Sequence, residues 1–413
     1  MMRKALSVIL LLSVLFCLSA CGLPTEESTE TKDALIANPL VKDRLNRIPV
    51  ASGEMSVQQL RRICVDFMRL QLSFPWTPNT AFTYQNKNKS ITIPVDKVIG
   101  GMPYISQSKG SIYNFLHFYD EEDGTFDAAF AMSLKQPYMK VIANQCSGSA
   151  YWAWARVSNR VRYMRTSDML GVNGCIPVGD YYIDPKIQNF NTENVATKDI
   201  CEANGRQVMF ASYAKLQMAD GVVHFNSGGH VMMVALDPTV VFNGDGTIDG
   251  EKSYLTLLEQ TSAFTEDTQH NGKPISIQGG IHFTYTFEKL FTSGYLPFTI
   301  PEFLGIDPVE KAEVSTNLPQ NGVFMSTLST LKVQSNYPIS YVTVTVKDRS
   351  GTAIYSCPVY TMDLNIYEFM PISAEYLNLE ELSVFANGLH TVEISAMVGT
   401  GETLTAYRGV FKQ

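Results

Sequence analysis

Metal-binding and dithiol spacings are missing from this chain. No HExxH-like histidine pair and no CxxC pair occurs in its 413 residues, so no metal and no organic cofactor is expected. Basic residues do not cluster: 32 Lys and Arg stand against 40 Asp and Glu, a net charge of −8. A nucleic-acid partner is therefore not expected. Past the N-terminus, no stretch approaches the roughly twenty consecutive apolar residues of a spanning helix. Aromatic residues are not scarce. At 11% they suit a globular protein with carbohydrate or peptide contacts, without identifying either.

The N-terminus reads as an address. MMRK is followed by the apolar run ALSVILLLSVLFCLSA and then Cys21-Gly22, which has the charge pattern and length of a secretory signal. Small residues directly before Cys21 resemble a bacterial lipobox. That implies cleavage of a signal peptide, residues 1–20, and lipidation of Cys21. The expected location is outside the cytoplasm, held to the cell membrane by the N-terminal lipid. GLPTEESTETKD is polar, acidic and free of aromatics, so residues 21–54 read as the lipidated cysteine and a flexible tether. A chain this long suggests two domains.

Cysteine is sparse, and its count is odd. Setting aside Cys17 in the signal and Cys21 leaves Cys64, Cys146, Cys175, Cys201 and Cys357. Cys175 and Cys201 could pair, but at least one thiol lacks an internal partner in an oxidising compartment.

Residues 55–73, with Leu60, Ile63, Phe67 and Leu70 at helical spacing, predict an amphipathic helix stopped by Phe74-Pro75. From Cys146 a second helical stripe runs through Ala150, Trp154, Val157, Val161 and Met164, with Arg156, Arg160 and Arg162 mainly off it. Asn144, or Gln145 less favourably, can cap that helix and leave Cys146 in its first turn. GVVHF, HVMMVAL, SYLTLLEQT and GIHFTYTF read as four strands between residues 220 and 300. Asn243-Gly244-Asp245-Gly246 lies between two of them. An EF-hand register there would put Val241 and Lys252 where carboxylates belong, so a tight turn is expected instead. Pro301–Pro319 reads as a linker. Beyond it STLKVQS, SYVTVTVKD, TAIYSCPVY, LSVF, HTVEISAMV and TAYRGVF alternate as short strands, which predicts an immunoglobulin-like β-sandwich over 320–413.

A cysteine attacks carbonyls only as thiolate. A helix N-terminus and a neighbouring imidazolium both favour that anion. Cys146 has the first by position. For the second, His230 is the leading candidate, because it follows Gly228-Gly229 and opens a strand; the glycines would let backbone and substrate approach closely. His282 and His224 are its rivals. A third group should orient the imidazole from the adjacent strand. Glu259 and Gln260 both qualify there, and strand alternation places them on opposite faces.

This order of parts resembles the NlpC/P60 and CHAP families of papain-like cell-wall hydrolases. Cys146-Ser147-Gly148 resembles the Asp-Cys-Ser-Gly of NlpC/P60, with Gln145 in place of the aspartate. Ala219-Asp220-Gly221 is similar to the turn before the histidine strand, and Glu259-Gln260-Thr261 to the Glu-Gln-Asn of CHAP domains. Gly101-Met102-Pro103-Tyr104 resembles the Gly-x-Pro-Tyr whose tyrosine lines the NlpC/P60 site. Two spacings depart from the families: 42 positions from Tyr104 to Cys146, and 84 from Cys146 to His230.

The resemblance implies an α+β fold. A papain-like domain over 55–305, its cysteine helix packed on an antiparallel sheet, would precede the sandwich. It also implies a peptidase or amidase acting on peptidoglycan peptides. Cys146, His230 and Glu259 (or Gln260) would be catalytic, with Tyr104 and Gln145 at the oxyanion or substrate. The reading kept beside it is a non-catalytic wall-binding lipoprotein carrying a degenerate domain.

Overall fold

Ser56 starts the first long helix, α1 (Val57–Ser73). Its side chain accepts the Gln59 N–H while the Gln59 side chain answers the Ser56 backbone, a reciprocal cap. The helix stops at Phe74, whose extended backbone is what a residue before proline adopts. The computed structural model describes residues 41–134, 136–161, 165–170, 174–226, 228–270, 273–361, 370–371 and 376–412. Cys21 and the signal stretch lie outside the described residues. Within the segment read as tether, Val41–Arg47 is helical and buries Val41 and Leu45.

The second long helix of the larger unit, α2 (Cys146–Trp154), is buried at all nine positions. Four strands follow: β1 (Gly221–Phe225), β2 (Gly229–Thr239), β3 (Tyr254–His270) and β4 (Lys273–Thr286). They pair antiparallel in the order β4-β3-β2-β1 at the centre of a ten-stranded sheet. Beyond β1 the sheet continues through β5 (Leu296–Thr299) to Ile176–Pro177. Beyond β4 come Val98–Gly100, Pro75–Pro78, Thr125–Phe126 and Tyr119–Asp120. The Asn243–Thr247 stretch between β2 and β3 is a turn, closed by a bridge between Phe242 and Ile248.

In the C-terminal unit a five-stranded and a three-stranded sheet share one apolar core. Ile339–Lys347 and Thr391–Val398 alternate between buried and half-buried residues, so Val342, Val344, Val392 and Ile394 all face inward. The molecule is thus α+β.

Several local expectations need correcting. Helix α2 ends at Trp154 rather than running to 164, because the Ser158 hydroxyl accepts the N–H groups of Arg160 and Val161 and turns the chain. Met164 and Arg162 lie outside the described residues. Arg156, expected off the buried stripe, is 2% exposed, because Tyr113, Phe67 and the Ile48–Pro49 backbone enclose it together with Gly401 of the C-terminal unit. LSVF is not a strand: Leu379–Ser383 is helical and drops Leu382 into the core. Within the segment read as a linker, Pro301–Leu304 forms a 3-10 turn that buries Pro301, Glu302 and Phe303, and Phe303 packs under the Arg61 guanidinium at 4.4 Å.

Candidate active site

Cys146 stands at the first position of α2, after Gln145. The capping expectation is only partly met. Gln145 holds the cap position without a side-chain cap bond, and Asn144, one residue earlier, accepts the Gln145 N–H at 2.8 Å. Asn144 is fully buried and fills the space beside Gly148, where a Cβ would fall 2.0 Å from its Oδ1. The glycine of Cys-Ser-Gly is therefore a packing requirement.

His230 is the second residue of β2, and its ring meets the Cys146 thiol in a side-chain hydrogen bond. Its Nε2–H donates to Glu259 Oε2 at 2.5 Å. With Nε2 so engaged, Nδ1 is the ring nitrogen left to face sulfur. The backbone N–H groups of Val231 and Ser147 also donate to the thiol. Burial pushes the Cys146 thiol pKa up, yet the His230 bond and charge with the two backbone donors bring it below its ordinary value. For His230, burial favours the neutral ring, but its bonds to Cys146 and Glu259 and their negative charges raise it to about 10. Each partner thus shifts the other toward the charged form, thiolate for Cys146 and imidazolium for His230. Cys146 is 5% exposed, while the side chains of His230 and Glu259 are 18% and 16% exposed.

Glu259 and Gln260 point different ways. Gln260 is buried, accepts the Ser149 hydroxyl of α2, and donates to the Met102 carbonyl at 2.8 Å. It ties the cysteine helix to the turn before Tyr104, away from the imidazole. Glu259 pairs with Gly280 on β4. The neighbouring Gly279 has φ +143°, and a Cβ there would sit 2.2 Å from the Glu259 carbonyl oxygen. The glycines of β4 let that strand pass close to Glu259.

The long spacings close in three dimensions. Pro103 O accepts the Asn144 N–H at 2.9 Å, and Tyr104 bridges to Asn144. The segment bearing Tyr104 thus runs beside the residues that lead into Cys146, and the chain between them gives Ile112, Phe115 and Phe126 to the core and two short strands to the sheet. Burial raises the Tyr104 hydroxyl pKa, and the charges of Cys146 and Glu259 raise it further, so it stays a proton donor. Gln145 Oε1 accepts the Gln107 N–H at 3.0 Å, a bond that holds the loop after Tyr104. Between Cys146 and His230, the helices Thr197–Asn204 and Arg206–Tyr213 pack against Phe287–Ser293. Cys175 and Cys201 are not joined in a disulfide, nor are Cys64, Cys146 and Cys357. Cys201 donates to the Tyr295 carbonyl instead.

Gly229 does not open space for a substrate, contrary to expectation. The Thr166 side chain fills that place, 1.6 Å from where a Cβ would be. His282 is the extra residue of a bulge, with φ +55°, where pairing shifts between Leu257↔Phe283 and Leu258↔Ile281. His224 lies directly across from His230, ring centroids 6.3 Å apart, with Tyr295 edge-on at 4.6 Å. Burial, then the charge on His230, lower its pKa to about 4. Tyr285 and Tyr295 complete an aromatic wall and both feel the Glu259 charge. The Arg61 guanidinium reaches Asp220 at 2.7 Å, and both side chains are buried. That pair fixes the turn before β1.

Tyr285 and Tyr295 were not singled out from the sequence, whereas His224, a rival base candidate there, stands across the strand pair from His230. Among the described residues, no group of three or more His, Cys, Asp or Glu side chains is placed to hold a metal ion. No family model, curated protein or solved structure matches this chain.

Proposed function

We propose that this chain is a papain-like cysteine hydrolase of the NlpC/P60 and CHAP type. It would cleave amide bonds in peptidoglycan peptides while tethered outside the cytoplasm through a lipid on Cys21. The observation that carries the reading is one imidazole bonded to a helix-borne thiol and, at its other nitrogen, to a carboxylate. The cysteine helix against a sheet-borne histidine supports a papain-like unit over 55–305. Two sheets around one core support an immunoglobulin-like sandwich over 320–413. The N-terminal address and the motif resemblance support the substrate and the location.

In this mechanism the Cys146 thiolate attacks the amide carbon, and a sulfur–carbon bond forms. The oxyanion is held by the Cys146 N–H at the helix start and by the Tyr104 hydroxyl. His230 gives its Nδ1 proton to the leaving amine as the carbon–nitrogen bond breaks. Water then attacks the thioester, its proton passing to His230, and the sulfur–carbon bond breaks to release the acid and restore the Cys146 thiolate beside the imidazolium. Glu259 holds the ring and balances its charge.

The test is digestion of purified peptidoglycan by wild type and Cys146→Ala, with fragments read by mass spectrometry. Release of new amine and carboxyl termini by wild type alone is expected; equal digestion by both removes Cys146 from the mechanism. One observation favours the non-catalytic reading: Cys146 is 5% exposed, as an inert structural thiol would be. Iodoacetamide separates the two. Modification of Cys146 at pH 6 no faster than a model thiol would favour the inert form.

A further inference from the structure

Away from Cys146, a cavity of about 640 Å³ lies on the seam between the two units. Three segments remote in sequence build it. The Val41–Arg47 helix gives Lys42 and Leu45, the larger unit gives Tyr113, His117 and Arg156, and the C-terminal unit gives Tyr341, Met397 and Gly401. It shares no residue with the thiol site. A volume of that size suits a small organic molecule.

Its charge is one-sided. Lys42, His117 and Arg156 line it, and no Asp or Glu does, in a chain whose net charge is −8. Glu121 accepts the Lys42 backbone N–H but is not part of the lining. Arg156 is the decisive residue. It is 2% exposed, and among the described residues no carboxylate pairs with it. Its Nη1 donates to the Tyr113 hydroxyl at 2.5 Å, and its Nη2 to the Ile48 and Pro49 carbonyls at 3.2 and 3.1 Å. Its buried Nε–H has no partner. A buried guanidinium held only by neutral acceptors keeps most of its desolvation penalty, and a carboxylate or phosphate would offset it.

We propose that this cavity binds a small organic anion, a carboxylate or phosphate on an apolar body. Arg156 and Lys42 take the charge beside the His117 ring, while Leu45, Tyr341 and Met397 cover the body. His117 is poised to report the event. Its Nδ1 bonds the Tyr360 hydroxyl at 2.9 Å and its ring meets Tyr341 at 4.3 Å. Burial and the Lys42 charge hold its pKa down to about 4, and an anion nearby opposes the second of these.

The experiment is calorimetric titration of the full chain with phenyl phosphate, benzoate and neutral benzyl alcohol, with His117 followed by NMR. Saturable binding of at least one anion below about 1 mM is expected, together with a rise in the His117 pKa and no binding of benzyl alcohol. Lys42→Glu and Arg156→Lys should each weaken anion binding about tenfold or more and leave Cys146 alkylation unchanged. If Arg156→Lys does not fold, the exposed Lys42→Glu answers the same question. The proposal is overturned if neither anion saturates, if benzyl alcohol binds as tightly, or if binding is unchanged in the folded variants.

Discussion

His230 is set by contradictory influences, and their balance dictates how the site should respond to pH. Burial favours the neutral ring, whereas a thiol on one side and a carboxylate on the other favour the cation. Cys146 is charged above its depressed pKa and His230 is charged below about 10. The ion pair therefore lasts between those limits. Cys146 alkylation at pH 6 should outrun a model thiol, and the alkaline limb of activity should fall near pH 10, where imidazolium is lost. Glu259→Gln removes a raising influence, so that limb should move about 1–3 units toward acid. An unmoved limb would mean that Glu259 does not hold the charge on His230. Tyr104→Phe should lower kcat by up to about 10²-fold with KM little changed if the hydroxyl serves the oxyanion. A change confined to KM would place Tyr104 in substrate binding instead.

Between elements, the buried contacts around the turn into β1 and along β3 set the geometry. Arg61 on α1 neutralises Asp220 where both are buried, and Thr299 adds a hydroxyl. Arg61→Leu strands that carboxylate and should cost about 3–5 kcal/mol in denaturant unfolding. A loss near zero would show the pair to be dispensable. Gly279→Ala forces a Cβ toward the Glu259 carbonyl at a φ only glycine tolerates well. It should cost about 3 kcal/mol and slow alkylation as well, since the displaced residue is Glu259.

The long helix was legible because its apolar spacing and stop signal agree: residues 55–73 were read, and Val57–Ser73 forms. The strands were legible from runs such as HVMMVAL, since parity and flanking glycines reinforce one another. Helix α2 misled because it is buried on every side, so no face had to be polar and the stripe appeared to continue through Val157 and Val161. LSVF misled because four apolar-rich residues carry too little period to separate strand from helix. The aromatic wall could not be read, since Tyr285 and Tyr295 reach the site only through tertiary packing.

At the scale of the molecule, the two units are joined by more than a covalent link. Gln136 exchanges a reciprocal pair of hydrogen bonds with the Tyr360 backbone, at 2.9 and 3.1 Å. Ser340 donates to Asn114, and the Tyr360 ring is buried in the core of the larger unit. Calorimetry should accordingly show a single unfolding transition. Tyr360→Ala should cost about 3–5 kcal/mol and split it in two. Two transitions in the wild type would refute that coupling.

Gln260 carries a consequence of another kind. Because it clasps α2 and the Met102 turn while its immediate neighbour serves the imidazole, β3 has no freedom to slide. A deletion or insertion of one residue upstream, in the exposed turn around Gly244, must be absorbed before the strand is reached. Otherwise the acid and the amide exchange places, and both duties fail together. Libraries of single-codon indels should therefore survive in that turn and vanish abruptly on entering the strand.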